Sequence, residues 1–194
     1  MKQKQKYRLS KTVTLIGLMG VGKTTLGRNF AKSLSIDFFD SDEEIVKRAG
    51  ISIREIFELS GEKKFRDIEK RVIAELLKRP PMVLSTGGGA FIFNNTREIL
   101  ASNSLTVWLR ATPETLLARM ENLNSRPLLL NGNPLLILTD LHQKREPFYQ
   151  RSDIIIDTDN LSSGQSLKIL TSTLKERNIL KLEKFEHEVN NAGD

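Results

Sequence analysis

Gly17-Leu18-Met19-Gly20-Val21-Gly22-Lys23-Thr24 fits the pattern G-x-x-x-x-G-K-[ST]. It follows an apolar run and opens an amphipathic one, which is the context a phosphate-binding loop requires. Glycines let successive backbone N–H groups turn inward toward phosphate oxygens. A helix beginning near Lys23 adds its positive dipole end. Gly20, Val21, Gly22, Lys23, Thr24 and Thr25 are therefore candidate contacts to a nucleoside triphosphate. The Lys23 ammonium can reach the β- and γ-phosphates, and the Thr24 hydroxyl can ligate Mg²⁺. This loop alone does not separate a kinase from a GTPase, helicase or motor. No Asn-Lys-x-Asp element for guanine follows, and 194 residues are few for a helicase or motor core. The size favours a small-molecule kinase.

A second group of residues could serve an acceptor. Phe39-Asp40-Ser41-Asp42 closes a short apolar run. At the carboxyl edge of a parallel sheet, where open α/β folds bind ligands, Asp40 could hold Mg²⁺ through water and Asp42 could take a substrate hydroxyl. An equally simple reading makes Asp40, Ser41 or Asp42 the cap of the next helix. Farther on come Gly61-Glu62-Lys63-Lys64-Phe65-Arg66-Asp67-Ile68-Glu69, Thr86-Gly87-Gly88-Gly89-Ala90, Arg126-Pro127-Leu128-Leu129 and Arg145-Glu146-Pro147-Phe148-Tyr149.

This set, in this order, resembles the shikimate kinase family over residues 17 to about 159. The resemblance implies that Asp42, Arg66, the Gly87, Gly88 and Gly89 backbone and Arg145 bind shikimate. It implies that Phe57 and Phe65 line the apolar side of that site. Arg126 would come from a lid over the phosphates, Arg119 would lie against adenine, and Lys23, Thr24 and Asp40 would serve ATP and Mg²⁺. The implied reaction moves the γ-phosphoryl of ATP to the 3-hydroxyl of shikimate, with Lys23, Asp42 and Arg126 as the catalytic group. The chemistry agrees. An Arg fork pairs bidentately with a carboxylate, and Arg66 and Arg145 offer two. Three glycines expose backbone to a close ligand. Taken alone, each Arg would more often be a solvated helix residue. Two features depart from the family pattern. The strand before Gly87 ends Val83-Leu84-Ser85-Thr86 with no carboxylate for metal, so Asp40 would stand in. The turn from Tyr149 to Asp153 is one residue short, which leaves adenine near Thr158 and Asp159 unplaced.

The elements that must position these groups alternate. Apolar runs at 12–16, 37–40, 82–85, 105–109 and 154–156 read as strands. Helical patterns fall at 26–34, between 41 and 79, at 96–101, from Pro113 and at 167–174. Pro80-Pro81 stops the second of these. Alternation of this kind predicts a parallel sheet with helices on both faces, and the resemblance implies a three-layer αβα phosphate-loop kinase fold with a five-stranded parallel sheet, similar to nucleoside monophosphate kinases. Strands such as Val13-Thr14-Leu15-Ile16 lack a polar face, as strands covered on both sides do. We expect a flexible basic N-terminus over 1–10 and a single kinase domain over 11–180. Within it lie a substrate-binding helical segment at about 41–70 and a lid at about 122–134. The polar stretch 181–194 reads as a disordered tail.

Composition limits the alternatives. There is no Cys, which excludes thiolate chemistry and agrees with a cytoplasmic home, and the two histidines, His142 and His187, are far apart. The net charge of +6 suits phosphates as well as nucleic acid. The basic residues are dispersed and Trp108 sits in an apolar strand, so neither a basic stripe nor a stacking platform points to nucleic acid. No run of about 18 apolar residues suggests a membrane span. A monomer is expected, since no long apolar surface stripe stands out. A gluconate or nucleotide kinase on the same scaffold is disfavoured by Arg66, Arg145 and the three glycines. A catalytically silent relative is disfavoured by the presence of Lys23, Asp42 and Arg126.

Overall fold

The run Thr12–Ile16 is buried at every position, and the fold is built outward from it. The computed structural model describes residues 7–120, 127–130 and 132–183. In chain order the elements are β1 (Tyr7–Leu9), β2 (Thr12–Ile16), α1 (Lys23–Leu34), β3 (Phe38–Asp40), α2 (Ser41–Ala49), α3 (Ile53–Leu76) and β4 (Val83–Ser85). They continue with α4 (Asn94–Asn103), β5 (Ser104–Arg110), α5 (Pro113–Ala118), α6 (Pro134–Tyr149), β6 (Ile154–Asp157), α7 (Ser163–Glu176) and β7 (Leu180–Leu182).

Five strands form one sheet in the order β3-β4-β2-β5-β6, and every pair in it is parallel. Helices flank this sheet, as expected. β2 lies at its centre, and the chain leaves it first toward β3 and later toward β5. The strand order therefore reverses beside β2, and the carboxyl end of β2 opens onto the crevice where such sheets bind ligands. The residues that follow β2 are the phosphate loop. Trp108 on β5 is 3% exposed and belongs to the core.

Local chemistry sets the helix boundaries. The Ser52 side chain accepts from Glu55 N and Glu55 answers with a bond to Ser52 N, so a capping box starts α3. Gly61 breaks α3 midway with φ 74° and ψ 171°, a conformation that only glycine adopts without strain. The second half of α3, which carries Phe65, Arg66 and Glu69, is thereby aimed separately from the first. α3 ends at Leu76, short of the expected 79. Lys78 N and Arg79 N bond to Glu75 O and Leu76 O as a tightened last turn before the prolines.

The ends of the chain require a correction. Residues 7–9 are not a flexible arm: β1 pairs antiparallel with β7, Tyr7 opposite Leu182 and Leu9 opposite Leu180. Leu9 and Leu180 are both buried, so two apolar side chains anchor the ribbon. Residues 181 and 182 belong to this ribbon and not to a tail. The expected lid at 122–134 is described only in part. Pro127–Leu129 make a 3-10 turn. Asn133 accepts from Leu135 N and Leu136 N and caps α6, which takes in Pro134. Residues 121–126 and 131 lie outside the described residues. Among those that are described, no helix is long and apolar enough to cross a membrane.

Candidate active site

Lys23 opens α1 and is 9% exposed. Its Nζ donates to Gly17 O and Leu18 O, each at 2.9 Å. The ammonium thus curls back over the loop it follows, which keeps a positive charge where phosphate oxygens would arrive. The Thr24 hydroxyl donates to Asp40 Oδ2 at 2.8 Å and lies 3.4 Å from Ser85 Oγ. The other oxygen of Asp40, Oδ1, accepts from Asp42 N at 3.0 Å and caps α2. The two readings of Asp40 are therefore compatible, because each oxygen has its own task.

One cavity of about 430 Å³ runs along this edge. Gly20, Val21, Gly22, Lys23, Thr24, Thr25, Asp40 and Arg119 line it, as do Asp42, Gly87 and Gly88. Arg119 reaches across to the loop after β6, where it donates to Thr158 Oγ1 at 3.0 Å and to Thr158 O. Asp159 on that loop accepts from Thr112 N. Burial opposes its charge, but hydrogen bonds from Thr115 and Thr112 outweigh this and hold the carboxyl below its usual range. The loops after β5 and β6 are thus tied together behind Arg119.

The glycine run is held from three helices. Arg145 Nη1 donates to Gly88 O at 3.1 Å, and the Tyr149 hydroxyl donates to the same oxygen. Burial pushes the Tyr149 phenol up to about 12, so it remains a donor at any ordinary pH. A methyl on Gly87 would lie 2.7 Å from Asp42 Oδ1 and 3.1 Å from Glu69 Oε1, and one on Gly89 would lie 2.5 Å from Arg66 Nη2. Charged side-chain ends fill the space of a Cβ at both positions, so any larger residue there must displace them.

Arg66 is held by carboxylates on its own helix. Its Nη1 donates to Glu69 Oε2 at 2.8 Å, while Nε and Nη2 donate to Glu62 Oε1 at 3.3 and 3.1 Å. Glu69 is fully buried. Burial pushes its carboxyl up to about 7; Arg66 pulls it down and Asp42 and Glu62 push it further up. Its Oε1 has no hydrogen-bond partner among the described residues. Phe57 and Phe65 stack with ring centroids 4.6 Å apart, and the Arg66 guanidinium lies 5.0 Å from the Phe65 ring.

The nucleotide-side residues singled out from sequence, with Asp42, Gly87 and Gly88, line one cavity. Gly89, Phe57, Phe65, Arg66 and Arg145 do not line it: Arg145 stands behind Gly88, bonded to its carbonyl, and Arg66 borders a second cavity of about 460 Å³ between α3 and the start of α4. Arg126 lies outside the described residues. Sequence reading assigned no role to Glu69 or Tyr149, although both stood in quoted segments. The spacing of Arg66 and Glu69, three apart on a helix, was the available signal for an ion pair.

Comparison with known proteins bears on this arrangement. A family model described as shikimate kinase matches residues 19–175. A shikimate kinase of Thiobacillus denitrificans is 46% identical over 161 residues, 82% of this chain and 88% of that protein. A structure of the shikimate kinase of Acinetobacter baumannii in complex with shikimate superposes with a TM-score of 0.79 at 39% identity, covering 86% of this chain and 94% of the other. A gluconokinase of Sinorhizobium meliloti, at 18% identity and a TM-score of 0.52, shares the fold alone. The phosphate loop, the acceptor glycines and a match over most of the chain agree that this protein belongs to the shikimate kinase family.

Proposed function

We propose that this chain transfers the γ-phosphoryl group of ATP to the 3-hydroxyl of shikimate, giving ADP and shikimate 3-phosphate, a step toward chorismate and the aromatic amino acids. The observation that carries this reading is the single cavity shared by the phosphate loop and by Asp42, Gly87 and Gly88. Donor and acceptor can meet there without crossing solvent.

Phosphoryl transfer passes through a loose transition state, so positioning and charge neutralisation matter more than a strong base. Lys23 and Arg126 supply positive charge to the phosphates. Asp42 orients the acceptor hydroxyl and is the candidate group to take its proton. Arg66 and Arg145 hold the substrate carboxylate. Five N–H donors belong to a guanidinium, and three of those on Arg66 bond to Glu62 and Glu69, which leaves two for a ligand. Phe57 and Phe65 cover the apolar side of the ring, and Arg119 packs against adenine.

Thr24 and Asp40 would hold Mg²⁺. Their oxygens suit a hard cation, and magnesium sites of this kind use one or two carboxylates completed by substrate phosphates. Thr24 Oγ1 lies 2.8 Å from Asp40 Oδ2, so the two oxygens can face one cation. The cation would neutralise phosphate charge. The reading is of a monomer that acts on small molecules in the cytoplasm.

A coupled assay of ADP release from Mg-ATP tests the reading, with shikimate, gluconate and a nucleoside monophosphate as separate acceptors. ADP release that depends on shikimate and is absent with the other two is the expected result. Release with gluconate or the nucleotide alone would overturn the acceptor assignment.

A further inference from the structure

Phe93 stands immediately before α4, at its N-cap, a position where Ser, Thr, Asp or Asn would satisfy an orphan backbone N–H. No side-chain cap is made there, and the ring is 39% exposed. A large apolar residue that breaks a local preference and gains little burial calls for another contribution. The structure supplies one. The Arg66 guanidinium lies 4.7 Å from the Phe93 ring centroid, nearer than to Phe65 at 5.0 Å or Phe57 at 6.0 Å.

The backbone that carries the ring is well anchored. Arg97 N donates to Phe93 O at 2.9 Å. The Arg97 side chain, buried, donates to Phe91 O, Ile92 O and Asn94 Oδ1. These bonds fix the backbone on both sides of Phe93 and so fix where the ring leaves the chain. The carboxylates of Glu62 and Glu69 grip the edge of the guanidinium, where its N–H groups point. They set its position in its own plane but resist tilting poorly. An aromatic face attracts a cation and favours a stacked guanidinium.

We infer that Phe93 is a positioning residue for the acceptor site: its ring sets the tilt of the Arg66 guanidinium and so keeps the two remaining N–H donors aimed at the substrate carboxylate. The inference rests on the proposed reading of Arg66 as a shikimate ligand. It adds a residue outside the glycine run and outside the Gly61–Glu69 segment, on a helix start that meets the site through Arg66.

Two substitutions test it. Phe93→Leu keeps apolar bulk and removes the aromatic face; Phe93→Tyr keeps the face. For Phe93→Leu the KM for shikimate should rise about two- to fivefold, the range for an exposed cation–π contact. Its kcat, KM for ATP and thermal midpoint should match the parent, and Phe93→Tyr should match the parent throughout. A Phe93→Leu variant with an unchanged shikimate KM overturns the inference. So does a parallel fall of kcat and thermal midpoint in both variants, which would make the ring merely structural. Failure of the underlying reading is seen separately, as absence of shikimate-dependent ADP release by the unsubstituted protein.

Discussion

Asp40 performs two tasks with two oxygens, and substitution can separate them. Asp40→Ala removes the Oδ1 cap on Asp42 N and the Oδ2 acceptor for Thr24. Loss of an N-cap costs about 1 kcal/mol, and loss of a partly buried hydrogen bond costs about 1 kcal/mol more. For a chain of this length each kcal/mol lowers the thermal midpoint by about 2–4 °C, so the total drop should be about 4–8 °C. Asp40→Asn keeps a side-chain oxygen for the cap, and Asn is as good an N-cap as Asp. Its midpoint should stay within about 2 °C of the parent. The same substitution removes the negative charge beside Thr24, and the magnesium concentration needed for half-maximal ADP release should rise about 10- to 100-fold, the usual cost of losing a group that supports a metal ligand. Scanning fluorimetry and a magnesium titration of the coupled assay read both quantities on the same samples. An Asn variant with an unaltered magnesium requirement would remove Asp40 from the metal site. An Asn variant as unstable as the Ala variant would show that the cap does not account for the stability.

Two further perturbations follow from the acceptor side. Gly89→Ala places a methyl 2.5 Å from Arg66 Nη2 and 2.9 Å from its Cζ, so the guanidinium must retreat by about 1 Å; misplacement on that scale costs up to about 100-fold, and kcat/KM for shikimate should fall at least tenfold while the KM for ATP holds. An unchanged kcat/KM would refute the placement of Arg66. The Glu69 carboxyl is raised from 4.5 to about 7. An acid raised in the folded state binds more protons there than when unfolded, so its stabilising contribution is complete below about pH 4.5 and is lost as pH rises to about 7. Glu69→Gln lacks this loss. The stability of the parent relative to Glu69→Gln should therefore decline by up to about 3 kcal/mol between those limits, and parallel melting curves across that range would contradict it.

What could be read in advance follows from how local each signal is. β2 and the phosphate loop are legible because an unbroken apolar run and a fixed glycine spacing lie within thirteen consecutive residues, Thr12 to Thr24. The parallel sheet follows from the alternation. The ribbon of β1 and β7 is not legible, since each strand has three residues and the pairing joins opposite ends of the chain. α6 is masked by the consecutive apolar residues Leu135-Leu136-Ile137-Leu138, which show no helical period. Within the site, Lys23, Asp42 and Arg145 could be found by motif. Glu69 could not, because it stands in a charged run from Glu62 to Lys70, and its burial beside Gly87 comes from packing distant in sequence. Phe93 carries no motif at all; its significance is a distance to Arg66 that only the packing of α3 against the start of α4 creates.

The central claim is that one cavity brings the γ-phosphate of ATP to a shikimate hydroxyl. The most direct test follows the phosphoryl group itself, with γ-labelled ATP, Mg²⁺ and shikimate, and separates shikimate 3-phosphate from inorganic phosphate. Label should appear in shikimate 3-phosphate in equal amount to the ADP formed. Label recovered only as inorganic phosphate, with shikimate unchanged, would contradict it.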